Sequence, residues 1–191
     1  RANVDSTVAP WAKPATSCLN AYIKREYSVC ASAGQAALVT DFLPTVGLVT
    51  ISALRRLGLM SQAEELGRNL LMRSFGHNGS FLMHMRLLDG DLEPERYLED
   101  QCNGIDVVSM ECEVYFYWGA KLLTDGNFSK AFKPLLLSTW ADCDALEREL
   151  ANADLRTVTE HLLSTGEFSI DSIDKQAKRI LAEHQLCRTK R

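Results

Sequence analysis

The sequence carries none of the short motifs that mark common enzyme sites. It has no G-x-S-x-G elbow, no H-E-x-x-H, no glycine-rich phosphate loop and no H-x-E with a downstream C-x-x-C. No His-Asp pair occurs, which excludes a pancreatic-type phospholipase. No two cysteines have C-x-x-C spacing, so zinc knuckles and dithiol redox motifs are excluded too. Basic charge is not concentrated anywhere. The 21 Lys and Arg are interspersed with 25 Asp and Glu, for a net charge of −4. That leaves no stripe for a nucleic acid, and an acidic surface is repelled by an anionic membrane. A membrane span needs about 20 nearly uninterrupted apolar residues. The most apolar window, 36–54, is broken by Thr40, Asp41, Pro44, Gly47 and Thr50 and followed by Arg55 and Arg56. It is expected to be a buried helical hairpin. There is no repeat of fixed period and no low-complexity segment.

What is present is the balance of a globular protein with a real core: 191 residues, 46% apolar and 24% charged. The apolar spacing is helical almost throughout. Leu48, Ile51 and Leu54 share a face, as do Leu66 and Leu70, and Phe81, Met85 and Leu88. Ile173, Ala177, Ile180 and Leu181 form the cleanest stripe, opposite Asp171, Lys175, Lys178 and Glu183. Gly58, Gly90, Gly126 and Gly166 follow apolar runs, as helix stops do. Ser61 and Glu64 have the S-x-x-E spacing of a capping box. Val107, Val108 and Val114–Tyr117 have strand propensity but lie in a long run without turn signals, so length favours helix.

The expected fold class is therefore all-α: a compact multi-helix bundle of about eight or nine helices with short loops, reinforced by disulfides. Residues 1–16, with Pro10 and Pro14, read as an extended N-terminal arm. Residues 17–187 read as a single helical domain, and 188–191 as a basic tail.

Six cysteines form an even set: Cys18, Cys30, Cys102, Cys112, Cys143 and Cys187. In a secreted chain they would pair, and spacing favours Cys18–Cys30 and Cys102–Cys112 as local links with Cys143–Cys187 joining the last helices. Asn78-Gly79-Ser80 and Asn127-Phe128-Ser129 are glycosylation sequons at loop-to-helix junctions. The start at Arg1, without a methionine or a charged-plus-apolar leader, leads to the expectation that any signal peptide has been removed. The end Arg188-Thr189-Lys190-Arg191 matches what a furin-like protease leaves, the alternative being a solvated basic tail. These features together point to a secreted protein.

Candidate chemistry is sparse. His77 and His84, seven apart, read as solvated histidines, with a shared metal face as the alternative. His161, His184 and Cys187 make a Cys/His site only if the cysteine is free. Glu111 and Glu113 point about 200° apart on a helix and cannot act as a paired acid and base. One of them must lie near the buried side, most simply paired with a Lys or Arg. Tyr115-Phe116-Tyr117-Trp118 is the most unusual run. Its rings cover a whole helix turn and either pack a central helix or contact a ligand or partner. No cofactor, metal or catalytic site is expected. The function expected is binding, with a protein partner or an apolar small ligand. The alternatives are a carrier with an apolar helical cavity and a processed membrane-active toxin built on the apolar hairpin near Leu43–Met60.

Overall fold

The computed structural model describes residues 9–74, 79–101, 107–141 and 145–188. Every regular element among them is helical. In chain order these are α1 (Ala12–Ile23), α2 (Tyr27–Thr40), α3 (Pro44–Arg56), α4 (Met60–Arg73), α5 (Ser80–Asp89), α6 (Pro94–Gln101), α7 (Val107–Thr124), α8 (Phe128–Trp140), α9 (Leu146–Ser164) and α10 (Ile170–Arg188). The chain divides into two compact units, Arg1–Leu82 and Met83–Arg191. No described helix is long and apolar enough to cross a membrane.

Unit 1 is organised around α3. Nine consecutive residues, Val46–Leu54, are buried, and α1, α2 and α4 each pack against this helix. Pro44 opens α3 in its first turn, where a missing N–H costs nothing. Two intrahelical side-chain bonds satisfy its buried hydroxyls: Thr50 Oγ1 donates to the Val46 carbonyl at 2.6 Å and Ser52 Oγ to Leu48 at 3.0 Å. Arg56, in the last turn, lies over the rings of Tyr22 and Tyr27 at 5.5 and 5.1 Å and donates to the Tyr27 hydroxyl. The guanidinium thus ties α3 to α1 and α2 while complementing the negative end of its own helix.

The turns follow from local chemistry. At Gly58 (φ +74°) the Leu59 N–H reaches the Leu54 carbonyl and the Gly58 N–H reaches Arg55, a Schellman closure that needs a left-handed residue. Arg25 makes the same closure at φ +64°, with Glu26 bonded to Ala21. A non-glycine there costs roughly 1–2 kcal/mol. The chain there leaves α1 at Ile23 and re-enters a helix, α2, at Tyr27.

Several expectations are corrected. The arm of residues 1–16 ends early, because α1 begins at Ala12 and accepts Pro14 within its first turn. The capping box does not form: α4 begins at Met60 with no side-chain cap, since the tight turn at Gly58 starts the helix before Ser61. Among the described residues Cys18, Cys30, Cys112 and Cys187 form no disulfide, so the expected reinforcement is not found there. Cys18 and Cys30 do meet in the core of unit 1, their sulfurs 3.4 Å apart, well outside a bond of about 2.05 Å. Cys112 faces α8 and donates to the Ser138 carbonyl at 3.4 Å. Cys102 and Cys143, and with them the other two expected pairs, lie outside the described residues, as do His77, Asn78, Lys190 and Arg191.

In unit 2, α7 is central and packs against α6, α8 and α9, while α10 lies along α8. Gly119 allows α7 and α8 to approach closely, since a Cβ there would lie 2.6 Å from the Leu135 side chain. Of the α10 stripe only Ile180 is buried, and Ile173, Ala177 and Leu181 are half-buried.

Candidate functional site

The four aromatic residues of α7 have two fates. Phe116 and Tyr117 are wholly buried, and the Tyr117 hydroxyl donates to Glu147 Oε1 at 3.0 Å. Tyr115 and Trp118 turn the other way. With Leu122 they form an i, i+3, i+7 stripe along one wall of a groove of about 240 Å³. The facing wall is the stripe Lys130, Lys133, Pro134 and Leu137 of α8, and Pro94 and Glu95 of α6 lie at one end. A second section of about 240 Å³ shares Glu95, Tyr115, Lys133 and Leu137 with the first, so the two run together past Tyr115.

The second section is walled by α10. There His184 Nε2 lies 3.4 Å from Glu111 Oε2, and the rings of Tyr115 and Trp140 meet His184 edge-on, each at 6.0 Å. Cys187, one turn further along α10, is exposed on the same wall. His161 is elsewhere, stacked on Phe128 at 3.7 Å. Of the Cys/His candidates the structure therefore places only His184 beside Cys187.

Behind α7 lies a buried polar cluster. His84 of α5 is only 5% exposed, against the expectation of a solvated side chain. Its ring is 4.8 Å from that of Tyr117 and 6.0 Å from that of Tyr97. Its Nε2 is 3.4 Å from Glu113 Oε2, yet makes no hydrogen bond. Burial pushes the His84 imidazole down to about 4. Burial, aided by the charge of nearby Glu147, pushes Glu113 up to about 7. Near neutral pH the contact is therefore a neutral imidazole beside a carboxyl that readily holds a proton, rather than an ion pair. Burial and the Glu113 charge also raise Tyr97. Each α7 glutamate lies against a histidine, Glu113 against His84 and Glu111 against His184. Among the described residues no group of three or more His, Cys, Asp or Glu is arranged to hold a metal ion.

Two wider depressions of about 530 and 670 Å³ lie over α1 and α2 of unit 1. They are shallow and lined largely by small or polar residues such as Ser17 and Ala33. The unit 2 groove is smaller, but it brings the rings of Tyr115 and Trp118 together with two exposed lysines, Lys130 and Lys133.

Lys130 and Lys133 were not singled out in the sequence, whereas His184 and Cys187 of the α10 wall were. The i, i+3, i+4, i+7 spacing of Lys130, Lys133, Pro134 and Leu137 was the available signal, since one helix face mixing lysine with apolar residues lines a boundary rather than a core. No protein-family model, no curated protein and no solved structure matches this chain.

Proposed function

We propose that this protein works by binding, and that its ligand is a small, largely apolar molecule seated in the unit 2 groove against Tyr115 and Trp118. One observation carries the reading: α7 and α8 each present a complete stripe to the same groove, and the stripe of α7 brings the rings of Tyr115 and Trp118 to its wall. Binding sites of this kind are concave and mainly apolar, with a few polar groups that orient the ligand.

The three tryptophan indoles allow a direct test. Titration with phenylbutanol, a neutral single-ring probe, is expected to shift the Trp118 indole N–H resonance saturably and to leave that of Trp11, in unit 1, in place. No shift at Trp118 up to millimolar probe overturns the reading.

We infer an extracellular setting for this activity. The even cysteine count and the two sequons support it, and Asn127 is exposed, its side chain not used to cap α8. In that setting Cys18 and Cys30 are the pair that closes, because their sulfurs are already adjacent. Intact mass of protein from its natural source, before and after reduction, is expected to show a Cys18–Cys30 bond and hexose at Asn127. Alkylation of all six thiols without reduction, with no sugar, overturns the setting but leaves the groove untouched.

A further inference from the structure

Resting on the groove reading, we infer that the ligand is an anion: a single-ring aryl carboxylate whose ring lies against Trp118 and whose carboxylate is held by Lys130 and Lys133. Size sets the ring. An apolar cavity of about 150 Å³ accepts benzene. The lysine-bordered section of about 240 Å³ therefore takes one substituted ring by itself, and a longer body would have to run on past Tyr115 toward Glu111 and Glu183.

Charge sets the head. Lys130 and Lys133 are one turn apart on α8, both exposed, and neither is in an ion pair among the described residues. This distinguishes them from Lys121, held by Asp125, and Lys178, held by Asp174. Both line the groove and are exposed, and an exposed lysine covers apolar surface with its methylene stem while keeping its ammonium group in water. Among the described residues Glu95 is the one carboxylate lining this section, against the two lysines. A cationic ligand would gain from the face of Trp118 but would meet both lysines. A carboxylate makes charge-assisted hydrogen bonds with them. Glu111 and Glu183 line the second section and repel an anion, so the head is directed to the lysine end. The chain as a whole carries −4, so the attraction for an anion is local to this end.

The test uses the whole chain and three probes of one skeleton: phenylbutyrate, phenylbutanol and phenylbutylamine. The acid is expected to bind on the order of five-fold tighter than the alcohol, and the amine weakest, as two partly exposed charge contacts imply. The preference should shrink as salt is raised. In the double variant Lys130→Gln/Lys133→Gln the acid should fall to the affinity of the alcohol measured on the same variant. Equal binding of acid and alcohol to the unaltered protein, or tightest binding of the amine, overturns the carboxylate and leaves the groove standing. Binding of none of the three overturns both.

Discussion

Gly34→Ala is expected to destabilise unit 1 by about 2 kcal/mol or more, although alanine is the better helix former. Gly34 lies within α2 and is buried where that helix crosses α3 and α1. A Cβ built there lies 1.9 Å from Thr50 Oγ1 and 3.0 Å from both Thr50 Cβ and Cys18 Sγ. Rotating Thr50 away sacrifices its 2.6 Å bond to the Val46 carbonyl and still leaves its Cβ too near. The helices must therefore separate at the most buried part of the unit. Removing a mid-helix glycine gains about 1 kcal/mol, whereas overpacking a tight core costs roughly 1–3 kcal/mol and sometimes more. The contact at Thr50 is close enough to put the cost at the upper end. Thermal unfolding with hydrogen exchange at α2 and α3 amides measures it. Adding Thr50→Ala should recover part of the loss, because it removes the nearest atom. A single variant as stable as the parent would show that α2 and α3 are not packed at this point.

Glu113→Gln is expected to make the protein sharply acid-sensitive between pH 6.5 and 4. The sign follows from which state holds the proton. Burial lowers His84 to about 4 in the folded protein, against about 6.5 when unfolded. Over that window the unfolded chain binds the extra proton, so stability falls as pH falls, by about 3 kcal/mol in total. Glu113 acts in the opposite sense. Its folded value is raised from 4.5 to about 7, so it stabilises the fold below pH 4.5, and that contribution is lost as pH rises toward 7. Its side chain is 35% exposed, and solvent screening reduces the contribution to about 1–2 kcal/mol. In the parent the two slopes oppose each other across most of the same range, and the stability profile is comparatively flat. Glutamine keeps the shape of Glu113 and deletes its slope, leaving that of His84. Glu147, Tyr97 and Tyr117 lie beside the pair in both proteins. Denaturant unfolding of both proteins from pH 7 down to pH 4 reads the effect. Parallel profiles would mean that the fold does not raise the Glu113 carboxyl, and a flat profile for the variant would mean that the His84 ring is not desolvated.

The same comparison of local and distant causes runs through the molecule. Gly58, Gly90, Gly126 and Gly166 were legible as helix stops, and each takes a positive φ at a helix end. The apolar periodicity placed Leu48, Ile51 and Leu54 in the core, where all three lie. The turn at Arg25 was not legible, because nothing in that side chain marks a left-handed residue; packing of α1 and α2 against α3 imposes it. The capping signal at Ser61 was genuine local chemistry overruled by a competing closure at Gly58.

The candidate groove was half legible. The run 115–118 drew attention as a cluster, and the 100° helical step splits it into Tyr115 with Trp118 and Phe116 with Tyr117. Which pair faces the core depends on where α8 and α9 lie. The pairing of Glu113 with His84 and Glu111 with His184 joins residues far apart in sequence.

By itself, then, the sequence determined that this chain is helical, where most helices stop and which stripes are apolar. Periodicity and turn chemistry act over one or two turns, so they are written in neighbouring residues. Tertiary structure decided that Gly34 lies against Thr50, that His84 is buried, that Cys18 meets Cys30 and that two lysines border an aromatic groove. Each depends on the distance between helices separated along the chain, a distance set by the packing of whole faces and encoded in no single segment.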